Sequence, residues 1–198
     1  MARWYWLVPL LLLIAYCSRP DQQVTLAPGV MVAEVPAQTL TPDAKPFRYK
    51  HFTIKPLADF DITAKVLSKK RYWLDDEADL SPIDFALGWQ HMSDEAIVSQ
   101  LAISQSYRWF RWSSEQLPIA LAEIQRSAAN MHLIPADDAI RSQLFNVPQG
   151  SIVNLKGRLV EASASNGMWR WRSSLTREDT GSGACELFWV ERVIPIVH

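Results

Sequence analysis

Two side chains in this sequence have the types that nucleophilic catalysis needs, a thiol at Cys185 and an imidazole at His132. A thiolate needs a base to activate it and a third group to orient that base. Asn130 and Asp138 lie near His132 in sequence and have suitable chemistry. Against this pair stands the setting of the thiol. Cys185 opens the apolar run Cys-Glu-Leu-Phe-Trp-Val, in which a buried, slowly reacting thiol is the common outcome. The four histidines, at 51, 91, 132 and 198, have no metal-ligand spacing, and neither H-x-x-x-H nor C-x-x-C occurs. No metal or cofactor is therefore expected. Thr180-Gly-Ser-Gly183 is glycine-rich, but it falls between two expected strands and lacks the helix N-terminus of a phosphate cradle. Asp75-Asp76-Glu77 with Asp79 is acidic, yet it lacks the glycine and spacing of a calcium loop and reads as a solvated turn.

Met168-Trp169-Arg170-Trp171-Arg172 is the most specific pattern in the last third. Strand geometry puts Trp169 and Trp171 on one face and Arg170 and Arg172 on the other. With the tryptophans inward, the arginines are solvated or paired with Glu161 or Glu186. With the tryptophans outward, they form a stacking platform, and Arg170, Arg172 and Arg177 become contacts for an anionic polymer or oligosaccharide.

These residues must be positioned by the elements around them. Residues 47–57 and 60–72 read as strands, the second with period-two alternation through Phe60, Ile62, Ala64 and Val66. Ser81-Pro82-Ile83-Asp84 carries helix-start signals, so a helix is expected over residues 82–89. Ser93 is expected to cap a helix over 94–101. Residues 107–112 read as a strand and 118–129 as a helix. Met131 to Ile134 is a short apolar run stopped by Pro135, and Asp137 or Asp138 starts a helix toward Phe145. Residues 151–162, 167–173 and 184–193 read as strands. Strands, then helices, then strands argue an α+β fold with a mainly antiparallel sheet.

The N-terminus supplies an address. Arg3 precedes an uncharged apolar run at residues 4–17, the pattern of an export signal or signal anchor. As a helix this run reaches roughly 21 Å, short of a bilayer core, and Trp4, Tyr5 and Trp6 suit the membrane interface. Cys17 stands where a bacterial lipoprotein signal places its lipidated cysteine. Ile14-Ala15-Tyr16-Cys17 resembles that lipobox at two positions and departs from it at Tyr16, so an uncleaved transmembrane signal-anchor helix is the preferred reading. No Lys or Arg lies between Arg19 and Lys45, which suits translocation of this side. The expected organisation is an anchor at 1–19, an extended proline-rich linker at 20–46 and one globular domain at 47–198. The net charge of −1 argues against nucleic acid as a partner. The second cysteine, Cys17, belongs to the anchor, so the domain is expected to be free of disulfides.

The Gly150, Val153, Leu155, Gly157 rhythm resembles the first strands of an OB-like barrel. The domain as a whole also resembles a group of small bacterial exported proteins, through Asp79-Leu-Ser-Pro-Ile-Asp84, Asn130-Met-His-Leu-Ile-Pro135 and Arg172-Ser-Ser-Leu-Thr-Arg177. The first resemblance implies a partly open barrel with several short helices. The second implies an export address and no known activity. The reading that follows is a membrane-tethered, periplasmic or cell-exterior binding or accessory module, with a possible envelope protein as partner. The alternatives are a cysteine hydrolase or transferase and an OB-like binder of an oligosaccharide or anionic polymer.

Overall fold

The computed structural model describes residues 23–75, 77–164, 167–176 and 185–197. The expected anchor at 4–17, with Cys17, and Arg177 both lie outside these residues. The structure is mostly sheet with a few short helices, and the sheet is partly closed. Its strands are β1 (Ala37–Leu40), β2 (Phe47–Tyr49), β3 (Phe52–Arg71), β4 (Ile83–Gly88), β5 (Ala102–Ser106), β6 (Trp109–Ser113), β7 (Ala128–Pro135), β8 (Ile152–Ala164), β9 (Arg170–Arg172) and β10 (Glu186–Val197). The helices are α1 (Glu95–Val98), α2 (Leu121–Arg126) and α3 (Asp138–Asn146).

The long strand β3 organises the sheet. Its first part, from Phe52 to Lys65, pairs antiparallel with β8, and its last part, from Lys65 to Arg71, pairs with β4. Bulges between Pro56 and Ala58 and between Val66 and Ser68 let one strand bend to serve both partners. Pro56 cannot donate to a ladder, and a bulge is where a strand tolerates it. β4 continues antiparallel to β7, β7 runs parallel to β10, and β10 pairs antiparallel with β8. The path β3-β4-β7-β10-β8 thus returns to β3 and forms a ring. β1 and β2 add to the flank of β3, and β9 adds to β8. Gly157 permits the closest approach of β8 to β10, because a Cβ there would lie 2.0 Å from the Trp189 carbonyl oxygen.

Alternation sorts the side chains. Phe60, Ile62, Phe85, Leu87, Met131, Leu133, Leu155, Phe188 and Val190 share the cluster inside the ring. The opposite face of the same strands is also covered. Ile134, Leu187 and Trp189 pack with Phe52, Ile54 and Val160, against the half-buried Phe47, Tyr49, Trp169 and Trp171. The β5–β6 hairpin and α2 cover a third cluster around Leu67, Ala86 and Met92. β4 and β7 are therefore buried on both sides, so polar residues on their outer faces need partners.

Residues 20–46, expected as an extended linker, hold specific contacts from residue 23 onward. Leu26 and Val32 belong to the inner cluster. Val24 N–H donates to the Gln149 carbonyl at 2.8 Å, and Val32 N–H donates to Ser93 Oγ at 2.8 Å. Gly150 sits at φ +88°, where a Cβ would lie 1.7 Å from the Val24 carbonyl oxygen.

Several expected elements change. The helix expected over 82–89 is instead strand β4. Ser81, Pro82 and Asp84 carry helix-start signals, but Ile83, Phe85 and Leu87 alternate into the core, and pairing with β3 and β7 overrides the local preference. The strands expected at 47–57 and 60–72 are a short β2, a turn at Lys50 (φ 53°) and one continuous β3. The strand expected at 107–112 is half of a hairpin, turned by Tyr107 and Arg108 at φ 51° and 62°. The helix expected at 94–101 is the short α1, capped by Asp94, which accepts from Ala96 N–H, and not by Ser93. The helix expected at 118–129 shortens to α2, because Ala128 already pairs with Gly88 in the sheet. Asp137 caps α3 as expected, accepting from Ile140 N–H at 2.8 Å. Among the described residues no helix is long and apolar enough to cross a membrane.

Candidate functional site

Asp84 and His132 are direct cross-strand partners of β4 and β7. Their neighbours Ile83, Phe85, Met131 and Leu133 point into the ring, so both point outward. His132 is likewise opposite Leu187 of the parallel strand β10. Cys185 lies just ahead of β10, two residues before Leu187. Register thus gathers Asp84 and His132 on one outer face, with Cys185 at the adjoining end of β10.

His132 Nδ1 lies 2.9 Å from Asp84 Oδ2, a close charge contact without the alignment of a straight N–H···O bond. The Cys185 side chain also acts on the His132 ring and raises its pKa, which makes the two side chains neighbours. Asp84 is fully buried and His132 nearly so, whereas Cys185 is half-buried. Burial opposes a charge on His132, but the Asp84 carboxylate, helped by Cys185, outweighs it and pushes the imidazole pKa up to about 9. His132 is therefore an imidazolium at neutral pH.

Arg108 completes the charge balance. It comes from the tip of the β5–β6 hairpin, held in the left-handed region that a non-glycine residue adopts only when its surroundings compensate. Its guanidinium donates to Asp84 Oδ1 at 3.2 Å, to Asp75 Oδ1 at 2.6 Å and to the Ser81 carbonyl at 3.0 Å. Its backbone N–H donates to the Tyr72 hydroxyl at 3.1 Å, and its carbonyl accepts from Asn130 Nδ2 at 3.1 Å. The guanidinium lies 4.1 Å from the Tyr72 ring centroid and 5.5 Å from that of Trp171. Trp171 also packs on His132, with centroids 4.5 Å apart. Burial first, and then the Asp84 carboxylate, raise the Tyr72 phenol and keep it neutral. The outcome is two cations and the Asp84 carboxylate enclosed between aromatic walls, with exposed Asp75 pairing Arg108 from outside and half-buried Cys185 beside them.

The structure places Cys185 near His132, and the carboxylate against the ring is Asp84, not Asn130 or Asp138. Asn130 Oδ1 accepts from Gln105 Nε2 at 2.6 Å, and its amide serves the Arg108 carbonyl. Asp138 lies in the first turn of α3. Cys185, expected to be buried, is half-buried. Trp169 and Trp171 do share the inward side of β9, yet both stay half-buried, while Arg170 and Arg172 are exposed. Both arginines pair with Glu161, Arg172 at 2.7 Å, and these bonds hold the Glu161 carboxyl below its usual range against the opposing effect of burial. The acidic cluster divides, with Asp75 serving Arg108 and Asp79 serving Lys50 at 2.8 Å. Among the described residues no group of three or more His, Cys, Asp or Glu is arranged to hold a metal ion.

Asp84, Arg108 and Tyr72 have no role in the sequence-based site. The missed signal for Asp84 is its place in Ile83-Asp84-Phe85-Ala86-Leu87, an alternating run with one charge on one face. Arg108 and Tyr72 carry no comparable signal, because their roles depend on where a loop and a hairpin fold back. Compared with protein-family models, curated proteins and solved structures, the chain matches none.

Proposed function

We propose that this chain is an exported, membrane-tethered recognition domain of OB-like architecture, which binds its ligand at the half-buried margin of the outer face of β4, β7 and β10, where Trp169, Trp171 and Cys185 are accessible. The ring of pairings carries this reading. Five strands in the order β3-β4-β7-β10-β8, one parallel contact between β7 and β10, and a helix between β7 and β8 match the connectivity of a five-stranded OB barrel. Such barrels recognise oligosaccharides and oligonucleotides on the face of their second and third strands, between the first and last loops. Those strands correspond to β4 and β7, and that face carries His132, Arg108, Tyr72 and Trp171. Aromatic rings and enclosed cations suit a sugar or an anionic polymer. The net charge of −1 disfavours nucleic acid. Arg170 and Arg172 contribute less, because Glu161 partly neutralises them. The apolar run at 4–17 supports the membrane address, and the envelope supplies the ligand or partner.

The test is a fluorescence titration of the full chain in detergent micelles with three probes, a chitin oligosaccharide, a hyaluronan oligosaccharide and polyphosphate. A saturable tryptophan response to one class, lost in Trp171→Leu and weakened by salt if the class is anionic, supports the reading. A folded protein that responds to none of the three overturns it. The address is checked separately, by recovery in membranes and digestion by protease added outside the cytoplasmic membrane. Protection of the domain in spheroplasts would exclude export.

A further inference from the structure

We infer that Cys185, His132 and Asp84 form a thiol-dependent acyl-transfer centre on this outer face, with Cys185 as nucleophile, His132 as proton carrier and Asp84 as the positioning residue. The inference deepens the binding-face reading and rests on it, since the bound ligand would supply the acyl group.

Three observations carry it. Sheet register puts Asp84 opposite His132 and His132 opposite Leu187, and Cys185 lies just ahead of β10, two residues before Leu187. The imidazole lies 2.9 Å from Asp84 Oδ2 and close enough to Cys185 for that side chain to act on its charge. With Nδ1 turned to Asp84, Nε2 is the ring nitrogen left for the thiol. Burial is also graded. Asp84 and His132 are enclosed, while Cys185 is the half-buried, more accessible member. An orienter, a proton carrier and an accessible nucleophile are the parts that covalent catalysis requires. Trp171 packed on His132 and Arg108 bonded to Asp84 hold the ring and the carboxylate in place.

In the first step the Cys185 thiolate attacks the carbonyl carbon of an ester or amide, forming a C–S bond and a tetrahedral oxyanion. Collapse breaks the bond to the alkoxide or amine, which leaves with the proton carried by His132. The acyl group remains on Cys185 as a thioester. Water then attacks that thioester and gives a proton to neutral His132. The C–S bond breaks, a carboxylic acid departs, and thiolate and imidazolium are restored. No oxidant, reductant or metal takes part.

The experiment uses the full chain in micelles and p-nitrophenyl acetate as the probe. The expected result is a burst of one p-nitrophenolate per chain, an acetyl thioester on Cys185 by mass spectrometry, and slower turnover. Cys185→Ser should abolish the burst, and His132→Gln should slow acylation by about 100-fold or more while a melt shows a folded protein. Deacylation should rise with pH as His132 loses its proton. In Asp84→Asn this rise should move to lower pH by about one unit or more, a shift that a merely structural role would not produce. Acylation of Cys185 no faster than that of free cysteine, or acetyl found only on other residues, would overturn the inference in the wild-type chain, with no need of a variant. The fluorescence titration and the burst, both read on the wild-type chain, separate the two proposals. Retained ligand binding with no burst in wild type sinks the acyl-transfer centre alone, whereas lost binding in wild type sinks the recognition face beneath it.

Discussion

The two faces of β4 and β7 differ as much as neighbouring regions of one sheet can. Ile83, Phe85, Leu87, Met131 and Leu133 look into the ring and share one apolar cluster. Asp84, Asn130 and His132 alternate with them and look outward into a node of ions. Both faces are buried, but by different means. The inner face is enclosed by closure of the sheet on itself. The outer face is enclosed by excursions from it, namely the β5–β6 hairpin, the turn after β3 and the short strand β9. The inner face needs only volume and shape, and many apolar sets could fill it. The outer face needs each charge matched to a partner, because an ion left alone there is costly. One face sustains the fold, and the other gives up stability to keep charges at fixed positions.

The largest expected effect tests the inner face. Phe85→Ala should cost about 3–5 kcal/mol in denaturant unfolding, through the cavity it leaves. That loss should be the same at pH 6 and pH 9, since Phe85 lies in the apolar cluster inside the ring. Asp84→Ala should cost a similar amount, about 3–5 kcal/mol at pH 6, by leaving His132 and Arg108 without their shared carboxylate. Unlike the first, this cost should shrink toward pH 9 as His132 sheds its proton. Equal pH dependence in the two variants would erase the distinction between the faces.

The wild-type pH profile sharpens the same contrast. His132 has its pKa raised from 6.5 to about 9 on folding, against burial and by the Asp84 charge with help from Cys185. A raised pKa adds stability that is complete below the unfolded value and is lost as pH rises through the folded one. Melting temperature should therefore fall between pH 6.5 and 9, by the equivalent of at most about 3 kcal/mol. His132→Gln should flatten that fall, and a profile unchanged in that variant would assign the dependence elsewhere. The smallest effect belongs to the exposed stripe. Arg170→Ala and Arg172→Ala should each cost less than about 1 kcal/mol, because both side chains are largely solvated and share one partner in Glu161. A larger loss would show that β9 anchors the outer face through its arginines and not through Trp169 and Trp171.

Elements that depend on local chemistry are legible in the sequence. Asp137 announces α3 by its capping side chain, and residues 151–162, read as a strand, form β8. The pairing of Arg170 and Arg172 with Glu161 is legible too, because cross-strand neighbours on a short β-meander lie close along the chain. Residues 82–89 show the limit. Ser81, Pro82 and Asp84 are sound helix-start signals, and they lose to two long-range strand partners that no local window contains.

By itself the sequence determined which chemistry was available, one thiol in the domain and few imidazoles, and which residues alternate inward and outward along each strand. It also determined the apolar N-terminal run and the near-neutral charge. Only the tertiary structure decided which residues meet. The parallel contact of β7 with β10 brings Cys185 to His132, the antiparallel contact of β4 with β7 brings Asp84 to the same ring, and the hairpin delivers Arg108 from a strained turn. The physical reason is that residue type and period-two alternation are properties of the local chain, whereas the partner of a buried charge is set by sheet register between segments far apart in sequence.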